Sequence, residues 1–259
     1  MKDTKPLVSI LLPVSNSGKF LSACLESLSS QIYKNSEIIA IDDVSKDDSF
    51  AILKRFKKRE KRLRIYKNKK RYGLSVTLNR LLNKAKGQYV AFTDAYDINS
   101  PQRIKKQLNF FLLHPKTVVV GTQCIFLDKK GQKLGKSAFP QENEGIRRAI
   151  IGGLSLQPET VMVNRRLLPK DILRFEKKSY RSLTSYPFVY TEVFMKLFQY
   201  GTFANLPFFL CSHRKRRSTY SQIIKIYLPS LIKLWLKSIT VYDYRPSLKN
   251  IFIPLIKPV

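Results

Sequence analysis

The sequence predicts an α/β fold in which a doubly wound, mostly parallel sheet is flanked by helices, followed by a basic amphipathic C-terminal extension. Short apolar runs alternate with segments of helical apolar spacing four times in the first part of the chain, the pattern of strands joined by crossover helices. Three of those runs end in polar or acidic residues, which would gather at one edge of such a sheet. Beyond about residue 215 the pattern changes to apolar residues mixed with lysine.

The run Leu7–Leu12 ends at Pro13, and Phe20, Leu21, Cys24, Leu25 and Leu28 then follow at helical spacing across Lys19–Gln31. Glu37–Ile41 repeats the strand pattern and stops at Asp42-Asp43. Asp47-Asp48-Ser49 then starts a helix with acidic residues near its positive end, and Phe50, Leu53 and Phe56 form its apolar face. A third cycle runs from Arg64-Ile65-Tyr66 through a turn at Gly73 into a helix over Ser75–Lys86. A fourth strand, Tyr89–Thr93, ends at Asp94. Pro101–Leu113 reads as a helix opened by proline, Val118–Leu127 as a strand, and Asp128-Lys129-Lys130-Gly131 as a hairpin turn. Helices are expected over Gly145–Ile151, Arg166–Leu173 and Thr191–Tyr200. From about Thr219, Ile223, Ile224, Ile226, Tyr227, Leu231, Ile232, Leu234, Trp235 and Leu236 among lysines predict a basic amphipathic helix.

A chain of 259 residues with 44% hydrophobic content can bury a sizeable core. Its formal charge of +30 points to a polyanionic partner: nucleic acid, an anionic membrane surface or a phosphate-bearing substrate. Cys24, Cys124 and Cys211 are scattered without a paired motif, so neither a zinc site nor a disulfide framework is indicated and a reducing, cytoplasmic setting is expected. No stretch reaches about 18 uninterrupted apolar residues, which argues against an integral membrane protein; a peripheral position at the inner face of the membrane fits the lysines Lys225, Lys233 and Lys237 around the apolar C-terminal stripe.

A Walker loop would need glycine five residues before the Gly18-Lys19 pair and Ser or Thr after it; Pro13 and Phe20 stand there instead. No Gly-x-Gly-x-x-Gly follows a strand. What remains is a sheet that meets its ligand with Pro13-Val14-Ser15-Asn16, Asp42-Asp43-Val44-Ser45 and Asp94-Ala95-Tyr96-Asp97. Acids beside a phosphate need a cation between them, which suggests a divalent metal with oxygen ligands.

The ordered motifs resemble those of the family 2 glycosyltransferases, of the GT-A fold. Val8–Asn16 is similar to that family's first strand and Pro-Val-Tyr-Asn turn, with Ser15 in place of tyrosine. Leu25-Glu26-Ser27-Leu28, Gln31 and Glu37–Asp43 continue in register. Gly73-Leu74-Ser75, Asn79, Ala85–Ala91, Asp94, Arg103, Gln107 and His114-Pro115 follow, as do Gln157–Met162 and Gly201–Pro207. The match covers about residues 6 to 215, which the resemblance divides into a nucleotide-sugar half (6–125) and an acceptor half (126–215), with 216–259 as the extension.

The resemblance implies transfer of a sugar, with inversion, from a nucleotide-diphosphate donor to a glycan or lipid-linked acceptor in cell-envelope polysaccharide or glycoconjugate synthesis. It sets Pro13, Ser15, Asn16, Asp42, Asp43, Gly73, Asn79, Asp94 and Arg103 at the donor, with manganese or magnesium held at Asp94 and Asp97. His213 falls where related proteins carry basic residues near the diphosphate. The sequence departs from the family at Tyr96, which replaces the second acid of Asp-x-Asp, and at Val44, which replaces a glycine. Val189 and Tyr190 stand where the acidic pair carrying the base is expected, which leaves Glu192 as the candidate base. The alternative is a catalytically impaired scaffold, or a protein that binds nucleic acid or an anionic surface. Nucleic acid is disfavoured because the basic run Lys54–Arg71 holds few aromatics, Phe56, Tyr66 and the adjacent Tyr72.

Overall fold

The computed structural model describes residues 5–151, 155–176, 186–215 and 231–241. Strand β1 (Val8–Val14) pairs in parallel with β2 (Ser36–Asp42) on one side and β4 (Tyr89–Phe92) on the other, and β3 (Leu63–Lys67) extends the sheet beyond β2. Side chains of a strand alternate between faces. In β1, Ile10 and Leu12 accordingly belong to the apolar cluster shared with helices α1 (Gly18–Ser29), α2 (Ser49–Arg59) and α4 (Arg103–Leu113), whereas Leu11 belongs to the cluster shared with α3 (Leu74–Lys84), α5 (Asn143–Ala149) and α6 (Tyr186–Leu197). Both layers are filled with Leu, Ile, Val and Phe that are essentially inaccessible, each contributing about 1.5–3 kcal/mol relative to exposure. This is the doubly wound arrangement expected from the alternating pattern.

The second half of the sheet is mixed. β4 pairs antiparallel with β8 (Met162–Asn164), which pairs antiparallel with β6 (Thr117–Leu127). The long β9 (Thr202–Arg214) then runs parallel to β6, and β5 (Ile98–Asn99) closes the edge antiparallel to β9. β7 (Lys133–Lys136) folds back on β6 across the expected hairpin, where the Asp128 carboxylate accepts hydrogen bonds from the Lys130 and Gln132 amides at 2.8 Å each. Gly201 lets β9 begin: its φ is 153°, and a Cβ there would stand 2.3 Å from the Lys116 carbonyl oxygen.

Two expectations need correction. The helix expected over Arg166–Leu173 is only a 3-10 turn, Arg165–Leu167. Pro169 disfavours helical backbone at the residue before it, and Leu168 is extended at ψ 136°. The helix expected from Pro101 starts at Arg103. Of the C-terminal stretch, residues 231–240 are helical; residues 216–230 and 242–259, with Ile223, Ile224, Lys225, Ile226 and Tyr227, lie outside the described residues. Leu231 and Leu234 join the core and Trp235 packs against it, while Ile232 and Leu236 face outward. No helix among the described residues is long and apolar enough to cross a membrane.

Val44 turns the chain out of β2 with φ 57°, in the left-handed region. That conformation costs an L-residue about 1–2 kcal/mol, partly offset in a glycine variant by about 0.5–1 kcal/mol of extra freedom in the unfolded chain. Val44→Gly is therefore expected to raise unfolding free energy by up to about 1 kcal/mol in urea titrations. A lower stability in the variant would show that packing of the valine side chain outweighs the backbone strain.

Candidate functional site at the strand ends

β1, β2 and β4 end at the same edge of the sheet, and the turns that leave them interlock. Asn16 takes a left-handed conformation (φ 49°), tolerable for asparagine. Its amide donates to Ser45 Oγ at 2.9 Å, and its Oδ1 accepts from the Lys46 amide at 2.8 Å. Ser15 Oγ accepts from Arg71 Nη2 at 3.1 Å. Pro13, the last partly open residue of β1, stands opposite Ile41. These contacts join the β1 turn, the β2 turn and the loop before α3 into one rim.

The aspartate pair is divided in its roles. Asp43 is a clasp: its Oδ1 accepts from Asn68 Nδ2 at 2.6 Å and the Tyr72 amide at 2.9 Å, and its Oδ2 from the Gly73 amide at 2.8 Å. Gly73, at φ 80°, then opens α3. Asp42 is fully buried; Oδ2 accepts from the Ser45 amide at 3.2 Å, and Oδ1 has no hydrogen-bond partner among the described residues. A buried carboxylate oxygen left this way costs on the order of 1–3 kcal/mol.

At the end of β4, Asp94 Oδ1 accepts from the Tyr96 amide at 2.9 Å. The Tyr96 hydroxyl donates to the Asn16 carbonyl at 2.9 Å, and its ring lies 5.0 Å from that of Phe20. Asp97 points elsewhere. Its carboxylate meets His213 Nδ1 at 3.1 and 3.2 Å and accepts from the Arg214 amide at 3.3 Å. Glu159, in the 3-10 turn Pro158–Thr160, completes a buried group: one ligand-type atom from each of Asp97, Glu159 and His213 lies within 4.8 Å of the others. Sequence reasoning missed Glu159 as a site residue, although it belongs to the Gln157–Met162 landmark; an acid beside proline just ahead of a strand was the available signal. Arg214, next to His213 in sequence, sets its guanidinium 4.6 Å from the centre of the Phe20 ring.

Three expected site residues have their polar groups engaged by other parts of the chain. Arg103, expected at the donor, is 1% exposed, and its guanidinium donates to the Phe92 carbonyl at 2.7 Å, to Gln107 Oε1 at 3.2 Å and to Asn99 Oδ1. Burial pulls its proton affinity down, against the charges of Asp97 and Glu159, so it braces the loop from behind. Asn79 spends its amide on the Phe175 backbone, donating at 2.7 Å and accepting at 2.9 Å. Glu192 on α6 pairs with Lys237 Nζ at 2.6 Å, and Lys237 also reaches Glu176 at 2.8 Å. Burial lowers the Lys237 proton affinity, but the two glutamates overcome it and the net shift is upward.

His213 is also held charged. Burial works against its proton, yet Asp97, by charge and hydrogen bond, and then Glu159 and Asp94 raise its pKa to about 9. A group whose folded pKa lies above its ordinary value of about 6.5 adds stability that is fully present below that value and disappears as pH rises through the folded one. In chelator, unfolding free energy is expected to fall by up to about 3 kcal/mol between pH 6.5 and 9. His213→Gln should flatten that slope in denaturant titrations, and an unchanged slope would detach it from this ion pair.

Residues 9–170 match glycosyl transferase family 2. A Bacillus subtilis (strain 168) protein named for teichuronic acid biosynthesis, glycosyltransferase TuaG, is 29% identical over 169 residues, 64% of this chain and 65% of that protein. The chain spans from 46% to 66% of the length of the first curated relatives it matches. Among solved structures, S. aureus TarS 1–349 in complex with UDP-GlcNAc has a TM-score of 0.71 at 18% identity, covering 96% of this chain and 70% of that one. Mannosyltransferase PcManGT from Pyrobaculum calidifontis, in complex with GDP-Man and Mn2+, has a TM-score of 0.67 at 17% identity, covering 98% and 69%. Superpositions at such identities establish a shared GT-A-like fold. With the family matched over more than half of its length, this chain belongs to glycosyl transferase family 2.

Proposed function

We propose that the protein transfers a sugar, with inversion, from a nucleotide-diphosphate donor to a glycan or lipid-linked acceptor during synthesis of a cell-envelope polysaccharide or glycoconjugate. The observation that carries this reading is the meeting of the Ser15-Asn16, Asp42-Asp43 and Asp94 turns at the carboxyl ends of three parallel strands, in a chain of this family. Open α/β sheets bind ligands at that edge. UDP-GlcNAc and GDP-Man in the two similar structures, and teichuronic acid synthesis in the name of one relative, support the donor and acceptor classes.

In this reading the β1 and β2 turns and the loop held by Asp43 frame the nucleoside, and the acceptor oxygen attacks the anomeric carbon as its bond to the diphosphate breaks. Glu192 takes the acceptor proton, which requires it to exchange its contact with Lys237. The implied manganese or magnesium would be held by Asp94 and Asp97, which requires the Asp97 carboxylate to give up part of its contact with His213 and the Arg214 amide; Glu159 lies beside it. Carboxylate donors suit such ions, and an oxygen of Asp97 lies within 4.8 Å of one of Glu159. Bound there, the ion would offset charge on the leaving diphosphate. Tyr96 contributes no ligand to it, since its hydroxyl is directed to Asn16.

Calorimetry with UDP and GDP, with and without manganese, tests the donor site. Metal-dependent binding of one nucleotide is expected, weakened at least tenfold in Asp43→Ala and Asp94→Ala. Absence of binding under every condition would favour a fold kept for its basic surface. With the sugar donor of the nucleotide that binds, Glu192→Gln should lower kcat by on the order of 10²-fold or more while leaving donor affinity within about twofold. The same loss in Glu159→Gln, with Glu192→Gln active, would move the base into the buried group.

A further inference from the structure

Most of β9 is covered, but Pro207, Phe208 and Phe209 are exposed, the two rings by 45% and 38%. Two breaks in register flank them. Leu206 stands opposite Thr122 and Phe209 opposite Gln123, so Pro207 and Phe208 are extra and bulge from the pairing; Cys211 then stands opposite Cys124, so Leu210, next to Phe209, is extra as well. Two rings left this far in water forgo part of the roughly 1.5–3 kcal/mol each would gain by burial, so stability of the fold does not account for them.

Each ring is accompanied by a lysine. Lys106 of α4 sets its Nζ 3.7 Å from the centre of the Phe208 ring, and Lys136 of β7 sets its Nζ 4.9 Å from that of Phe209. Leu134, two residues from Lys136 at the irregular pairing of β7 with β6, is 59% exposed. Apolar rings flanked by lysines suit the headgroup layer of a bilayer, where the rings enter the acyl boundary and the ammonium groups stay with lipid phosphates. The net charge of +30 supplies attraction to an anionic leaflet from a distance. The same charge opposes pairing of two copies through a lysine-bearing face, and two rings on one bulge do not make the aromatic-lined groove that a single-stranded nucleic acid uses.

We propose that the β9 bulge, with Phe208 and Phe209 flanked by Lys106, Lys136 and Leu134, is a docking surface for an anionic lipid bilayer. His213 lies four residues beyond Phe209 on the same strand, a rise of about 13 Å, so docking brings the strand-end site close to the headgroup layer. Its use in catalysis rests on the reading of a lipid-linked acceptor; the docking itself does not.

The test is co-sedimentation of the full chain with phosphatidylcholine vesicles, with and without phosphatidylglycerol. Binding is expected only with the anionic lipid. Phe208→Ser with Phe209→Ser should weaken it at least tenfold while leaving thermal unfolding and nucleotide binding unchanged, and Lys106→Gln with Lys136→Gln should weaken it as well. Wild-type binding by the double phenylalanine variant would overturn the proposal, because net charge alone would then explain adsorption. So would light scattering that shows a dimer in the wild type and a monomer in that variant, or loss of poly(U) RNA binding in the same variant. Failure of nucleotide calorimetry, with the vesicle result intact, would count against the transferase reading alone.

Discussion

Carboxylates drawn inside a sheet need positive charge beside them, because an unpaired buried charge costs several kcal/mol. Asp97 and Glu159, both fully buried, impose that constraint here. Positive charge near them comes from parts of the chain far apart in sequence: Arg103 at the start of α4, close enough for its charge to act on both, and His213 near the end of β9, which pairs with Asp97. The loop after β4, the first turn of α4, the 3-10 turn before β8 and the last strand can reach their places only together. The mixed half of the sheet thus closes around these charges as well as around its apolar layers.

The same economy of contacts holds at the strand-end turns. Tyr96 uses its hydroxyl to secure the carbonyl of Asn16, and its ring lies against that of Phe20, which joins the β4 turn to the β1 turn. Asp43 secures the loop leading to α3. Residues that a sequence pattern assigns to the ligand thus also build the wall of the site, and each takes its geometry from backbone groups that the pattern does not contain.

The first half of the fold was legible because its strands and helices carry strong periodicity and end in recognisable turns, as Leu7–Leu12 followed by the Phe20, Leu21, Cys24, Leu25 and Leu28 stripe illustrates. β8 and β9 were not identified as strands: three residues are too few for a period, and β9 contains a proline and a register break. Pro169 was the overlooked signal against a helix over Arg166–Leu173. The strand-end turns were legible from where apolar runs stop. What Arg103, Asn79 and Glu192 touch was not, since those partners, the Phe92 carbonyl, the Phe175 backbone and Lys237, are set by tertiary packing. Glu159 became visible as a neighbour of Asp97 only through the crossing of separate elements.

The helix at residues 231–240 seats Leu231 and Leu234 in the core and sets Lys237 between Glu176 and Glu192. These contacts give the order of synthesis a structural meaning. A nascent chain with strands β1–β9 already outside the ribosome would still have an open seam on the α6 side and two acids awaiting their lysine. The tightening of that layer therefore waits until residues 231–240 have emerged, and until then the seam is where a chaperone would find exposed apolar surface.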